Sequence, residues 1–239
     1  MHNTPGYHGS SGIKIHRLMI NHLGSDTTAV VLCAFFFYIT RRSQCYERLV
    51  NEIRSTFSSV ENITSGPQLA SCTYLQACIN ESLRLGVAGA GTLDRIVQLG
   101  GMNIEGDHIP IGTEVACSGW TMMHNETCFD GAYVFRPERW IADQAHGVTP
   151  EDVSRAQSGF NPFSTGPWNC VGQKLALVEL QVIIARTLWR LDVRLNPGDM
   201  TGAGKKDGRW GMRDEKHFQV RDAYVTLFDG PVVQLRKRV

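Results

Sequence analysis

None of the apolar runs in these 239 residues is long enough to cross a bilayer. The longest, residues 29–39, falls short of the roughly 20 residues that a spanning helix needs, so it reads as a buried helix segment. An excess of charge of one sign is also missing. The 24 Lys and Arg stand against 23 Asp and Glu, a net charge of +1. That balance excludes the strong field that would favour nucleic acid or an acidic partner. The short basic run Arg236-Lys237-Arg238 reads as a solvated tail. Spaced cysteine pairs are lacking as well. Among Cys33, Cys45, Cys72, Cys78, Cys117, Cys128 and Cys170 no two form a C-x-x-C, which leaves a structural zinc site little support. The cysteine number is odd and no secretory signal stands at the N-terminus. The expectation is free thiols in a reducing, intracellular setting. Internal repeats are absent.

Hydrophobic residues make up 42% of the chain and charged residues 20%, an ordinary globular balance. Residues 1–12 are rich in Gly, His and Ser and read as a disordered lead-in. A helix is expected over residues 13–38, apolar nearly all round towards its end and therefore placed in the core. Tyr46, Leu49, Val50, Ile53 and Phe57 form a stripe at helical spacing, and Ser65-Gly66-Pro67 breaks the chain. A third helix is predicted over 69–85. Short strands follow at 96–99, 102–105 and 113–117, separated by glycine-containing turns. Residues 120–162 read mostly as loop. A last helix is predicted over 171–189, with Val171, Leu175, Val178, Val182, Ala185 and Trp189 on its buried face. The segment 198–216 is Gly-rich and charged, an exposed insertion. Asp229-Gly230 between two apolar stretches predicts a terminal hairpin.

The segment Phe163-Ser-Thr-Gly166-Pro-Trp-Asn-Cys170-Val-Gly172 sets a cysteine in a Gly-rich turn directly before a helix. Glycines let a backbone wrap closely around a sulfur. A helix N-terminus supplies partial positive charge and unpaired N–H groups, which favour the thiolate. From these residues alone Cys170 suits a nucleophile, a redox thiol or a metal ligand, and a plain buried loop cysteine stays open beside them.

Phe163, Gly166, Cys170 and Gly172, followed by Ala176 and Glu179, resemble the haem-binding loop and following helix of the cytochrome P450 family. Three further motifs stand in family order. Glu81-Ser-Leu-Arg84 is similar to the family's E-x-x-R, although a Glu/Arg pair at this spacing is by itself an ordinary surface pair. Phe135-Arg-Pro-Glu-Arg139-Trp140 resembles the arginine segment that lies between E-x-x-R and the cysteine loop. Gly24-Ser-Asp26-Thr27-Thr28 resembles the oxygen-activating stretch of the long central helix; taken alone, it would serve as a helix cap.

The resemblance covers nearly all of residues 13–239. It implies a mainly α fold with small β-sheets, the C-terminal part of a cytochrome P450 domain. Cys170 would be the axial thiolate of a haem iron, with Phe163, Gly166 and Gly172 shaping its loop. Glu81, Arg84 and Arg139 would form a buried ion network, and Asp26 and Thr27 would manage protons near bound dioxygen. Trp168 stands where many members place a basic residue towards a haem propionate, and Arg95 is the candidate replacement. Leu23 occupies a position that is usually Ala or Gly. His124 and Trp140 read as packing or loop residues. The implied function is a haem-thiolate monooxygenase. It would hydroxylate a small organic substrate with dioxygen and electrons from an NADPH-cytochrome reductase-type donor, in a cytoplasmic or ER-associated setting. The loop variant resembles a branch common in filamentous fungi, many of whose members tailor secondary metabolites. The family chain is about twice as long as this one. The membrane anchor, basic and aromatic propionate contacts and most of the substrate lid are therefore expected to be missing. An inactive truncated remnant, or an incomplete gene model, is the rival expectation.

Overall fold

The apolar run read as a core segment does enter the core. In a computed structural model that describes residues 10–238, with side chains from Gly24 onward, helix α1 (Ser10–Ile39) buries Val30, Val31, Ala34, Phe35, Phe37, Tyr38 and Ile39. Burial on that many sides requires neighbours all round. They are α2 (Ser43–Thr56), α4 (Thr73–Leu85) and α7 (Gln173–Arg190), which also pack on one another. The α2 stripe lies as its spacing predicts: Leu49, Val50, Ile53 and Phe57 are buried. The first nine residues of the predicted lead-in lie outside the described residues, and α1 takes in the other three.

The third predicted helix is two helices, α3 (Pro67–Ala70) and α4. The break has a physical cause in α2. Glu52 turns its carboxylate onto the start of α4, accepting the amide protons of Tyr74 and Leu75 at 2.8 Å each. A carboxylate there satisfies orphan N–H groups and suits the positive end of the helix dipole.

Gly86 closes α4 where it crosses α1. A Cβ on it would stand 2.5 Å from the Cβ of Ala34 and 3.0 Å from the carbonyl of Ser82. Neither atom can swing aside. Gly86→Ala is expected to destabilise the chain by about 1–3 kcal/mol, the range for overpacking, read as a lower urea midpoint. An unchanged midpoint would mean that α1 and α4 separate freely.

The strands are short and, among the described residues, form four two-stranded antiparallel sheets. They are β1 (Arg95–Ile96) with β4 (Glu114–Val115), β2 (Met102–Ile104) with β3 (Asp107–Ile109), β5 (Leu191–Leu195) with β8 (Val233–Lys237), and β6 (Val220–Arg221) with β7 (Leu227–Phe228). Strand β3 lies between two of the predicted strands and takes in Asp107 of a predicted turn. It pairs with β2 because Glu105 (φ 51°) and Gly106 (φ 96°) adopt the left-handed conformations that a tight hairpin needs. The predicted terminal hairpin does not form. Its first arm pairs back onto β6, and its second crosses to β5 in the register Leu191↔Lys237 through Leu195↔Val233. The local turn signal at Asp229-Gly230 carries no information on so distant a partner.

The stretch read as loop holds α5 (Gly119–Met123), 3₁₀ turns at Pro137–Trp140 and Gln144–His146, and α6 (Pro150–Ser158). Helix α6 starts with a capping box in which Thr149 accepts from the Asp152 amide and Asp152 accepts from the Thr149 amide. The segment 198–216 is irregular and exposes Lys205, Lys206, Arg209 and Trp210, while Ala203 bridges to Phe218 in the core. Among the described residues no helix is long and apolar enough to cross a membrane.

Candidate active site around Cys170

Cys170 lies between α6 and α7, two residues after the 3₁₀ turn Gly166–Trp168 and three before α7. Its backbone is pinned on both sides. The Cys170 amide donates to the carbonyl of Phe163 at 2.8 Å, and the Gln173 amide donates to the Cys170 carbonyl at 3.3 Å. The chain doubles back by way of Ser164 (φ 63°) and Gly166 (φ 64°). At Gly166 that left-handed conformation is free of strain; at Ser164 it is held by the surrounding bonds. Phe163 is half-buried, and Gly172 stands beside the sulfur, 3.7 Å from where a Cβ on it would lie.

The residues around Cys170 are not covered. Cys170 itself is exposed, as are Trp168 at 69%, Val171 at 105% and Leu175 at 58%. This corrects the predicted buried face of the last helix. Helix α7 meets the core through Leu180, Ile184, Ala185 and Leu188; Ala185 belongs to the predicted face and the other three do not. Val178, Val182 and Trp189 are half-buried, and Val171 and Leu175 point off the packed surface. Spacing alone does not choose between two apolar faces of one helix. Arg95, 73 residues upstream in β1, reaches this loop. Its guanidinium carbon is 5.1 Å from the centroid of the Trp168 ring, and Nη1 donates to the carbonyls of Leu93 and Asp94.

Gly24 to Thr28 lie inside α1, well past its start, so they cap nothing. Asp26 is exposed, Thr27 half-buried and Thr28 buried. Ser25 donates to Asp26 at 3.4 Å, and the Thr28 hydroxyl donates to the Gly24 carbonyl at 2.9 Å. The side chain of Leu23 lies outside the described residues. Helix α1 packs against α7, the helix that follows the cysteine.

Glu81, Arg84 and Arg139 meet in the core. Glu81 and Arg84 have no exposed side-chain surface, and Arg139 has 3%. Arg84 grips both carboxylate oxygens, from Nη2 at 2.8 Å and Nε at 3.0 Å, while Arg139 Nε donates to Oε1 at 3.0 Å. Two donors escaped the sequence reading. The Arg136 amide donates to Oε1, and the indole N–H of Trp140 donates to Oε2, each at 3.0 Å. The remaining guanidinium protons go to backbone. Arg84 donates to the carbonyls of Met123 and Ala132 at 2.7 Å each, and Arg139 to those of Asp130, Gly131 and Val134. The network therefore fixes residues 123–139 as well as α4. Burial alone would raise the Glu81 pKa; Arg84, with Arg139 and the Arg136 amide, outweighs it and holds the carboxyl below its usual value.

Beside this network lies a pair of buried histidines for which the sequence offered no signal. His124 is 6% exposed and His217 3%. Their ring centroids are 5.2 Å apart, and the His124 ring stacks on Trp120 at 3.7 Å. His124 Nδ1 donates to the Trp120 carbonyl at 2.9 Å. His217 Nδ1 pairs with the Tyr38 hydroxyl at 3.1 Å, and that hydroxyl accepts the Phe218 amide at 3.0 Å. Burial first, and then each other's charge and Arg84, lower His124 to about 3; burial lowers His217 to about 4.

A cysteine on a turned-back loop ahead of a helix, with a buried Glu/Arg/Arg network behind it, is the arrangement that the sequence motifs imply for a haem-thiolate protein. The family model for cytochrome P450 matches residues 14–217, and the chain belongs to the cytochrome P450 family. It is 36% identical over 217 residues to cytochrome P450 monooxygenase AKT7 of Alternaria alternata, covering 90% of this chain and 42% of that protein. It is 37% identical over 219 residues to cytochrome P450 monooxygenase apf7 of Gibberella fujikuroi, covering 90% and 40%. A cytochrome P450 monooxygenase of Gibberella zeae is 36% identical over 217 residues, covering 90% and 48%. The chain thus spans less than half the length of these relatives.

Proposed function

We propose that this chain carries the haem-thiolate part of a monooxygenase, with Cys170 as the residue that would hold the iron. One observation carries the reading: the exposed Cys170 sits on a backbone-pinned turn whose apolar neighbours Trp168 and Val171 also lie open. The donor set fits a haem. The Cys170 thiol stands on the turn just before α7. Apolar side chains stand ready for a porphyrin face, and the Arg95 guanidinium suits a propionate carboxylate. Phe163, Gly166 and Gly172 give the turn its shape. A haem held by thiolate supplies the activation of dioxygen for oxidation of an unactivated C–H bond.

The chain's own residues would do the rest. Cys170 would hold the iron, and Arg95, steadied on Trp168, would anchor a propionate. Glu81, Arg84 and Arg139 keep the scaffold behind the loop rigid. The resemblance assigns the holding and passing of protons on α1 to Asp26 and Thr27. Electrons would come from an NADPH-dependent reductase-type donor, and the substrate would be a small organic molecule. A role in tailoring secondary metabolites, in an intracellular setting, rests on the loop pattern and on the fungal relatives.

The uncovered side chains of Trp168, Val171 and Leu175 favour a second reading, in which this chain alone is an inactive remnant that binds haem weakly. One experiment separates the two. Haem is added to the purified chain, which is then reduced and exposed to carbon monoxide. A thiolate-type Soret band is expected, and its loss in Cys170→Ser. A parent chain with no such band favours the second reading; a band that survives in Cys170→Ser removes Cys170 as the ligand.

A further inference from the structure

Trp140 joins two parts of the molecule that the motifs describe separately. Its indole N–H donates to Glu81 Oε2, an oxygen that otherwise receives only Arg84 Nε. Its ring meets the ring of Phe160 at 4.5 Å between centroids and that of Phe129 at 6.2 Å. Phe160 is half-buried and packs against all three hydrophobic clusters: the main core, the Val87–Met123 cluster and the Phe129–Ala156 cluster. It is also where the cysteine loop begins. Asn161 and Pro162 follow, and then Phe163, whose carbonyl holds the Cys170 amide at 2.8 Å. A continuous path therefore runs from the Glu81 carboxylate through the Trp140 ring and Phe160 to the backbone bond that sets the cysteine.

We propose that Trp140 is a positioning residue for Cys170, acting through its hydrogen bond to Glu81 and its contact with Phe160. The proposal rests on the reading of Cys170 as a haem ligand. The ring alone would fill the space between Phe129 and Phe160 whichever way it faced. The indole N–H selects one orientation, because a buried carboxylate oxygen is a strong acceptor and leaving such a donor unpaired is unfavourable. With the ring held, Phe160 has one place to pack, and the first residues of the loop inherit that constraint.

The test needs no haem. Trp140→Phe keeps an aromatic ring and removes the N–H; Trp140→His restores a ring N–H donor. Amide hydrogen exchange at Cys170, resolved by mass spectrometry, reports the loop; exchange at Ile184 in α7 reports the core. In Trp140→Phe the exchange rate of the Cys170 amide is expected to rise about tenfold, the scale of one lost hydrogen bond to a charged group. Exchange at Ile184 should stay as in the parent, and Trp140→His should recover part of the loss. Phe160→Leu, which leaves the Glu81 bond in place, is expected to loosen Cys170 in the same way. Unchanged Cys170 rates in Trp140→Phe or in Phe160→Leu, or an equal rise at Cys170 and Ile184, overturns the proposal. Because these rates are read in the chain without haem, they stand apart from the carbon monoxide spectrum: failure of that spectrum removes the ligand assignment, and failure here removes only the role of Trp140.

Discussion

Glu81→Ala is expected to lower the stability of the chain by about 5 kcal/mol in neutral buffer at 25 °C. The substitution strands two buried guanidiniums. Arg84 loses both of its carboxylate bonds, Arg139 loses its only one, and the Arg136 amide and Trp140 indole lose their acceptor. Removing one partner of a buried ion pair costs about 3–5 kcal/mol, and a domain's whole net stability is about 5–15 kcal/mol. Here one carboxylate serves two guanidiniums, so the upper end of the cost applies. Urea titration followed by far-UV circular dichroism measures it. Glu81→Gln, which keeps the volume and one acceptor oxygen but no charge, should lie between the two. A Glu81→Ala midpoint equal to the parent's would mean that the carbonyls of Met123, Ala132, Asp130 and Val134 balance the two arginines unaided.

Acid sensitivity well above the carboxylate range is the second large effect expected. His124 and His217 are neutral in the fold, with pKa values lowered from 6.5 to about 3 and about 4. In the unfolded chain they take up protons near 6.5. The stability that they contribute is whole above that value and is lost as pH falls through it towards 4 and 3. Each histidine removes about 1.4 kcal/mol per pH unit in that window, so roughly 3 kcal/mol is expected to go between pH 7.5 and 5.5. The charged groups facing the pair are Arg84, which opposes protonation, and Asp214 and Glu81, which favour it. Glu81 acts in a different window. Its carboxyl lies below its usual 4.5, so its contribution is present above that value and fades only below it. Urea midpoints at pH 7.5 and 5.5 isolate the histidines, and His217→Gln should halve the difference. Equal midpoints at the two values would show that the pair is solvated.

These two effects arise at residues of very different legibility. Glu81 and Arg84 lie three apart in one helix, and the motif around them named Arg139 as a third member. Periodicity located α2 and its buried stripe because that helix has a single apolar face. Helix α7 has two, and Leu180, Ile184 and Leu188 join the predicted Ala185 at the core while the predicted Val171 and Leu175 are exposed. The capping box of α6 was present as Thr149-Pro-Glu-Asp152 but lay in a stretch without apolar period. Trp140 stood inside a motif, yet the destination of its N–H depends on how the turn at Pro137–Trp140 folds over α4. His124 and His217 are 93 positions apart, and nothing local marks them as neighbours. The contact between Arg95 and Trp168 is of the same kind.

The strand that completes the sheet beside α7 comes from the far end of the chain. Strand β5 directly follows α7, but its partner β8 is made some 40 residues later, in the pairs Arg194↔Gln234 and Asp192↔Arg236. During synthesis α7 and β5 therefore leave the ribosome with an open edge of unpaired N–H and C=O groups. That edge stays available to other chains until residues 233–237 arrive. The last strand thus acts as a latch on assembly order. The helix that begins beside Cys170 gains this support only once residues 233–237 have been made.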